Sequence, residues 1–397
     1  MAGPRRVRLY VSCRSRRARV GLPGFRFEGR SDEFGGTRDG SGDIEAEGGL
    51  LGLGAGEGGR SAVKTKMAVF LLCGAALLTA CAGAGGGKAD SGVPEFVLTY
   101  AENQAEDYPT TQGAYKFAEL VNQRTNGKIE IQVNAGGTLG DERSVIEQLQ
   151  FGGVDFARVS LSPLAEFVPK LNVLQMPYLY TGPEHMWRVL EGKIGDDFMN
   201  SFGDSNLIPL SWYDAGARNF YNSVRPIETL EDIRGMNIRV QESELMVDTI
   251  KALGANPVPM AYGDVYSGLQ TGKIDGAENN WPSYESTRHY EVAGYYTIDE
   301  HTRVPELQLV AQSTWDKLSP EYQNIIRECA QESAVYERKL WQEREKISEQ
   351  KIREAGCVIT ELSAEEKARF QDAVSPMYEL YCADYVDIID QIVAAGK

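Results

Sequence analysis

Two hydrophobic periods alternate along this chain from Phe96 onward. Such a chain can bury both kinds of apolar face only in a layered α/β fold. Phe96–Tyr100 reads as a strand, and Thr111–Thr125 carries Ala114, Phe117, Ala118 and Val121 at helical spacing before Gly127 stops it. Ile129–Val133 alternates as a second strand. Asp141 caps a helix with Val145, Ile146 and Leu149 on one face, and Val154–Val159 is a third strand. The logic then repeats. Ile208–Tyr213, Met236–Val240 and Ile274–Glu278 read as strands. A helical turn at Leu230–Arg234 and helices at Ser243–Leu253 and Tyr262–Thr271 lie between them. This order predicts a parallel sheet. Pro320–Ala355 and Ala364–Ala394 read as helical, on either side of a brief strand at Cys357–Thr360. The whole reads as two α/β lobes tied by long helices, with no internal repeat.

The chain upstream of Phe96 has a different texture. Residues 1–62 are rich in Arg and Gly with no sustained apolar period, and are expected to be a non-native or disordered extension. Lys64 and Lys66 then precede the apolar run Met67–Leu78, which is too short to span a bilayer and suits a signal-peptide core. Leu78-Thr79-Ala80-Cys81 resembles a bacterial lipobox. Residues 63–81 are therefore expected to be a lipoprotein signal, with Cys81 taking the lipid and 82–95 forming a flexible tether. Gly83–Lys88 does not satisfy the phosphate-loop pattern, because positions 82 and 89 are both Ala.

Charge narrows the partners. Residues 1–62 hold 11 Arg and no Lys against 8 acidic residues, so the remainder of a chain at −16 carries about −19. An acidic body of that kind is a poor binder of nucleic acid or anionic membrane, and suits a protein that works outside the cell. If its ligand is an anion, local cations must hold it. Beyond the signal segment, Cys329, Cys357 and Cys382 are compatible with one disulfide and a free thiol, or with no disulfide. No metal or cofactor is expected: His185, His289 and His301 match no zinc spacing, and there is no nucleophile elbow or dinucleotide fingerprint.

Two arginines stand where an anion could be held. Arg239 lies near the end of a short strand, where open sheets bind ligands, and its planar fork suits a carboxylate. A structural ion pair is the alternative. Arg218 follows another strand, and Glu278-Asn279-Asn280-Trp281 follows a third. Asn can donate and accept, and Trp281 reads as packing or as a stacking face.

These segments together resemble the solute-binding proteins of TRAP (tripartite ATP-independent periplasmic) transporters, the dicarboxylate-binding family. The resemblance rests on Gly127–Ile131, Leu139–Arg143, Met176-Pro177-Tyr178, Gly235–Val240, Pro259–Tyr262, Leu269–Gly272 and Asp275–Asn279, in that order. It implies a periplasmic-binding-protein-like fold of two α/β lobes, with a ligand cleft between them and long C-terminal helices bracing both. The lobes are expected at 96–215 plus 305–344 and at 216–304 plus 345–397. It implies that Arg239 is the principal carboxylate ligand, that Arg218 and Asn279 assist, that Asn103 and Glu142 contact the solute, and that Tyr262 lines the cleft. Arg158 and Ser160 fall in the segment that shapes ligand choice, and Gln241 stands where many relatives have Pro.

The function implied is that of an exported, lipid-anchored protein, outside the cell membrane or in the periplasm. It would capture a small organic-acid anion, close over it and deliver it to TRAP membrane subunits. Glu102, Asn103, Gln104, Glu142 and Ser160 favour a hydroxylated sugar acid such as a uronate or aldonate over a C4-dicarboxylate. A sensor's accessory receptor, an ATP-driven importer's binding protein and an enzyme acting on sugar acids are the alternatives. No residue is assigned a catalytic role.

Overall fold

The computed structural model describes residues 93–397. The signal segment, Cys81 and all but the last residues of the tether lie outside them. Eleven strands are present among the described residues: β1 (Phe96–Ala101), β2 (Ile129–Asn134), β3 (Phe156–Ser160), β4 (Leu207–Tyr213), β5 (Ala217–Asn222), β6 (Asn237–Val240), β7 (Asn256–Pro259), β8 (Gly276–Asn279), β9 (Tyr295–Arg303), β10 (Glu306–Ala311) and β11 (Val358–Glu361). They form two sheets, ordered β2-β1-β3-β10-β4 and β11-β9-β5-β8-β6-β7.

Neither sheet is wholly parallel, which corrects the expectation from strand–helix alternation. β1 runs parallel to β2 and β3, but β10 pairs antiparallel with β3 and β4. In the second sheet β6 is parallel to β7 and β8, while β5 is antiparallel to β8 and β9. The antiparallel strands are the ones on which the chain changes sheets. It leaves the first sheet at Asp214–Gly216, between β4 and β5, and returns at Val304–Pro305, between β9 and β10. Gly216 takes φ +61°, a conformation that favours glycine at this turn.

The helices mostly follow their apolar periods. Pro109–Arg124 buries Ala114, Phe117 and Val121 against the first sheet. Glu142–Phe151 is capped by Asp141, whose side chain accepts from the Ser144 amide at 2.8 Å. Tyr262–Thr271 is not one helix: a short 3-10 turn at Tyr262–Asp264 precedes the helix Val265–Gln270. Pro320–Glu354 is a single helix of 35 residues that packs on β4 and on the helices Pro109–Arg124 and Trp281–Ser286. The expected C-terminal stretch is broken into Ala364–Val374, Pro376–Cys382 and Val386–Ala395. Pro376 lacks the N–H needed to continue the first of these. Its last two members touch both halves: Ile392 O is 2.7 Å from His185 Nε2, and Tyr381 Oη donates to Asp248 at 2.9 Å. Cys329, Cys357 and Cys382 are all free thiols. No helix among the described residues is long and apolar enough to cross a membrane.

Candidate functional site

The strand directions bring one end of each sheet to a common edge. β1 ends next to Glu102 and Asn103, β3 ends at Ser160, and β10 begins at Glu306 opposite Ser160. Across the cleft, β6 carries Arg239 next to its end, β8 ends at Asn279, and β5 begins at Ala217-Arg218. Parallel strands and their antiparallel partners thus deliver polar side chains to one face. A cavity of about 330 Å³ lies there, lined by Asn103, Glu142, Arg239, Gln241 and Tyr262 together with the glycine-rich turn Gly136–Gly140. Gly140 takes φ +123° and abuts Ser144, so the turn packs tightly against the start of the helix that carries Glu142.

Three arginines are buried among the described residues, and they differ in what they hold. Arg239 is 3% exposed; its Nε and Nη2 donate to the Met260 carbonyl at 2.9 and 2.7 Å, and it makes no ion pair among the described residues. The carbonyl takes one edge of the guanidinium, leaving Nη1 and the second Nη2 proton on the adjacent edge. Burial pulls the pKa of Arg239 down, and the neighbouring Arg218 charge adds to that while Glu278 opposes it.

Arg218 follows β4, as expected, and lies within the next strand, β5. Its guanidinium grips Glu278 through Nε and Nη2, and Nη1 donates to Asn279 Oδ1 at 3.2 Å. Burial alone would raise the pKa of Glu278, but Arg218 and His301 hold its carboxylate down at about 2. His301 bridges this pair to Asp299, with Nδ1 2.9 Å from Oδ2, and the two carboxylates outweigh burial to raise its pKa to about 9.

Arg158 is held on every nitrogen. Nε and Nη2 engage Glu102, Nη2 also donates to Asn103 Oδ1, and Nη1 donates to Glu142 Oε1 at 3.2 Å. Glu306 Oε2 lies 2.8 Å from Nη1 without an aligned hydrogen bond. Burial, reinforced by Glu142 and Glu102, pushes the Glu306 carboxyl up to about 8 despite Arg158.

Glu142 is the junction of the site. Its Oε1 accepts from the Ser160 amide at 2.9 Å, and its Oε2 faces Gln241 Nε2 at 3.5 Å. Ser160 Oγ in turn reaches Gln241 Oε1 at 3.5 Å, so Gln241 spans from the second sheet to the first. The hydroxyl of Tyr262 is buried and has no hydrogen-bond partner among the described residues, although the residue as a whole is only half-buried.

The structure therefore brings Arg239, Asn103, Glu142 and Tyr262 to one cavity. Ser160 sits behind that lining through Glu142 and Gln241, whereas Arg218 and Asn279 are not among the lining residues: Arg218 holds Asn279 and Glu278 on β8, the strand next to the one that carries Arg239. Trp281 stacks on Tyr296 at 3.8 Å between ring centroids, in the core of the second sheet. Sequence reasoning assigned no role to Glu278, Glu306 or His289. The last accepts or donates at Nδ1 to Tyr221 Oη at 2.8 Å, and burial and the Arg239 charge lower its pKa to about 3. Nothing in the spacing of these residues points to the site, because their partners are distant in the chain. A larger groove of about 880 Å³ runs along β4 and the long helix, lined by Trp187, Trp212, Arg327 and Arg338. It contains none of the residues above.

Comparison with known proteins supplies context for this arrangement. Residues 100–384 match the family described as bacterial extracellular solute-binding protein, family 7. A solute-binding protein of Chromohalobacter salexigens is 41% identical over 281 residues, covering 71% of this chain and 83% of its own. A TRAP periplasmic solute binding protein from Xanthobacter autotrophicus Py2, with bound β-D-galacturonate, superposes with a TM-score of 0.73 at 40% identity, over 75% of this chain and 99% of its own. A counterpart from Roseobacter denitrificans, with bound β-D-glucuronate, gives a TM-score of 0.73 at 40% identity, over 76% and 100%.

Proposed function

Since the chain belongs to family 7 of the bacterial extracellular solute-binding proteins, we propose that its cleft captures a hydroxylated sugar acid, a uronate or an aldonate, and delivers it to the membrane subunits of a TRAP transporter. The observation that carries this reading is Arg239: a buried guanidinium on a cavity wall, with one edge fixed by a backbone carbonyl and no carboxylate of its own. A solute carboxylate laid against the remaining edge would make two parallel charge-assisted hydrogen bonds. Burial strengthens that attraction, because the effective dielectric is low. Asn103, Glu142, Gln241 and the unpartnered Tyr262 hydroxyl would then pair with the hydroxyls of the solute. The uronates bound to the two structural relatives support the ligand class.

The cleft closes between lobes that we assign to 96–215 plus 305–344 and to 216–304 plus 345–397. Arg239, Arg218 and Asn279 come from the second, and Asn103, Glu142 and Ser160 from the first. Gln241, reaching across to Ser160 and Glu142, latches the two. Lipid attachment at Cys81 would hold the protein at the outer face of the membrane. A Cys81→Ser protein should leave the membrane fraction, and one that stays there would refute the anchor.

The test of the ligand reading is calorimetric titration with D-galacturonate, D-glucuronate and D-galactonate. Binding of at least one is expected, and Arg239→Ala should weaken it more than a hundredfold. Removing one partner of a buried charge pair costs about 3–5 kcal/mol. Folded, ligand-free protein that binds none of them overturns the ligand class, and undiminished binding in Arg239→Ala overturns the role of Arg239.

A further inference from the structure

Charge around the cleft is not balanced. Among the described residues Arg239 is the one cation on the cavity wall, against the acidic side chains of Asp141, Glu142, Glu242 and Asp264. Behind the wall, Arg158 is the group that could have met a second anion, since it sits on the opposite side of the cleft from Arg239. It is not available. Glu102 takes Nε and Nη2, Asn103 also takes Nη2, and Glu142 and Glu306 both lie on Nη1. Its side chain is 1% exposed, and those of its neighbours, the Glu102 and Glu142 carboxylates and the Glu306 carboxyl, are at most 12% exposed. Arg218 is likewise closed off by Glu278.

We propose that the carboxylates which sheathe Arg158 and line the cavity restrict this cleft to solutes with a single carboxylate, so that a dicarboxylate of the same carbon skeleton is rejected. This rests on the reading above, that the cleft takes a sugar acid by its carboxylate at Arg239. One carboxylate meets the free edge of Arg239. A second, at the far end of the solute, meets Glu142 and its neighbours without any free guanidinium to receive it. Like charges brought together in a site of low dielectric repel far more strongly than they do in water. A hydroxyl at the same place is welcome, because Glu142 Oε2 has only a 3.5 Å contact to Gln241 and can accept a hydrogen bond. The carboxylates thus both select the hydroxyl and exclude the second charge, which is the usual double device of specificity.

The test compares D-galacturonate and D-galactonate, each with one carboxylate, with galactarate, the six-carbon acid with a carboxylate at both ends. Galactonate and galactarate share an open chain and differ at C6 alone. Titration calorimetry at pH 7.5 should show the tighter-binding monoanion favoured over galactarate by at least a hundredfold. Glu142→Gln should narrow that ratio at least tenfold, by weakening the monoanion and admitting the dianion. Glu242→Gln, which changes a half-buried residue with no hydrogen bond, should narrow it at least threefold and covers the case in which Glu142→Gln fails to fold. Galactarate bound as tightly as the monoanions overturns this inference and leaves the sugar-acid reading standing. A ratio unchanged in the folded variants overturns it equally. Binding of none of the three acids removes the sugar-acid reading, and this inference falls with it.

Discussion

Arg239 differs from its two buried counterparts in having a carbonyl where they have carboxylates. The distinction matters for substitution. Lysine would keep the charge but present it as a point, so it could neither hold the Met260 carbonyl with two donors nor offer a flat edge to a carboxylate. Titration of Arg239→Lys with the same acids should therefore show a loss close to that of Arg239→Ala, and affinity within threefold of the native protein would mean that charge alone suffices. The position of Arg239, between Ile238 and Val240 near the end of a short strand, was legible in the sequence; that a carbonyl rather than a carboxylate meets it was not, so a structural ion pair stayed open until the strands were placed. The partner of Arg218 was not legible. Glu278 lies 60 positions away, and β5 and β8 meet only through the antiparallel register that pairs Phe220 with Glu278. Local period cannot reveal such a pairing, and Arg158 with Glu102, 56 positions apart, is hidden for the same reason.

Among the elements, the helix Pro109–Arg124 comes unusually close to the long helix and to β4. A Cβ at Gly113 would stand 2.8 Å from a ring carbon of Tyr213 and 2.9 Å from Glu337 Cβ. Alanine is the better helix former by about 1 kcal/mol, but the overlap with a buried ring and a packed helix costs about 1–3 kcal/mol. The overlap should win. Gly113→Ala is expected to lower the thermal midpoint by a few degrees, and an unchanged or raised midpoint would show that the two helices can separate freely. The same contrast between local preference and packing explains which elements the sequence disclosed. β1, β2 and the long helix follow their apolar periods. β5, β9 and β10 do not: β9 reads Tyr-Tyr-Thr-Ile-Asp-Glu-His-Thr-Arg, yet Asp299, His301 and Thr302 are buried in it because Asp299 bonds to His301 and accepts from the Phe220 amide of β5, and the Thr302 hydroxyl donates to the Gln175 carbonyl. β7 contains two prolines and survives as a strand because it lies at the sheet edge.

At the scale of the molecule, three buried groups hold their protons more tightly than the unfolded chain would. His301 is pushed up to about 9 by Asp299 and Glu278 against the effect of burial, whereas burial, with neighbouring carboxylates adding to it, pushes Glu306 up to about 8 and Glu345, beside the Gly216 crossing, up to about 7. Each folded pKa lies above its unfolded value, so the folded chain keeps protons that the unfolded chain releases. Stability is then greatest at mildly acidic pH and falls as pH rises, through 9 for His301, by up to about 1.4 kcal/mol per unit for each titrating group. Glu278 and His289 have the opposite sign: the contribution of Glu278 is lost as pH falls below about 4.5 towards 2, and that of His289, which burial and the Arg239 charge hold down at about 3, as pH falls below about 6.5. Thermal unfolding should show a midpoint clearly lower at pH 9 than at pH 6, with a shallower slope in His301→Gln; a flat profile would mean that these groups take up no excess protons.

β10 sits between β3 and β4 in the first sheet, although it is spelled after every strand of the second sheet except β11. A nascent chain emerging from its N-terminus therefore holds β3 and β4 ready long before the strand that joins them arrives. Each is meanwhile an unpaired edge that other chains could pair with. The first sheet cannot close until Ala311 is available, by which point most of the second has been made. Neither half can be completed alone, and a chain cut short before Glu306 loses not only its tail but also the middle of its beginning.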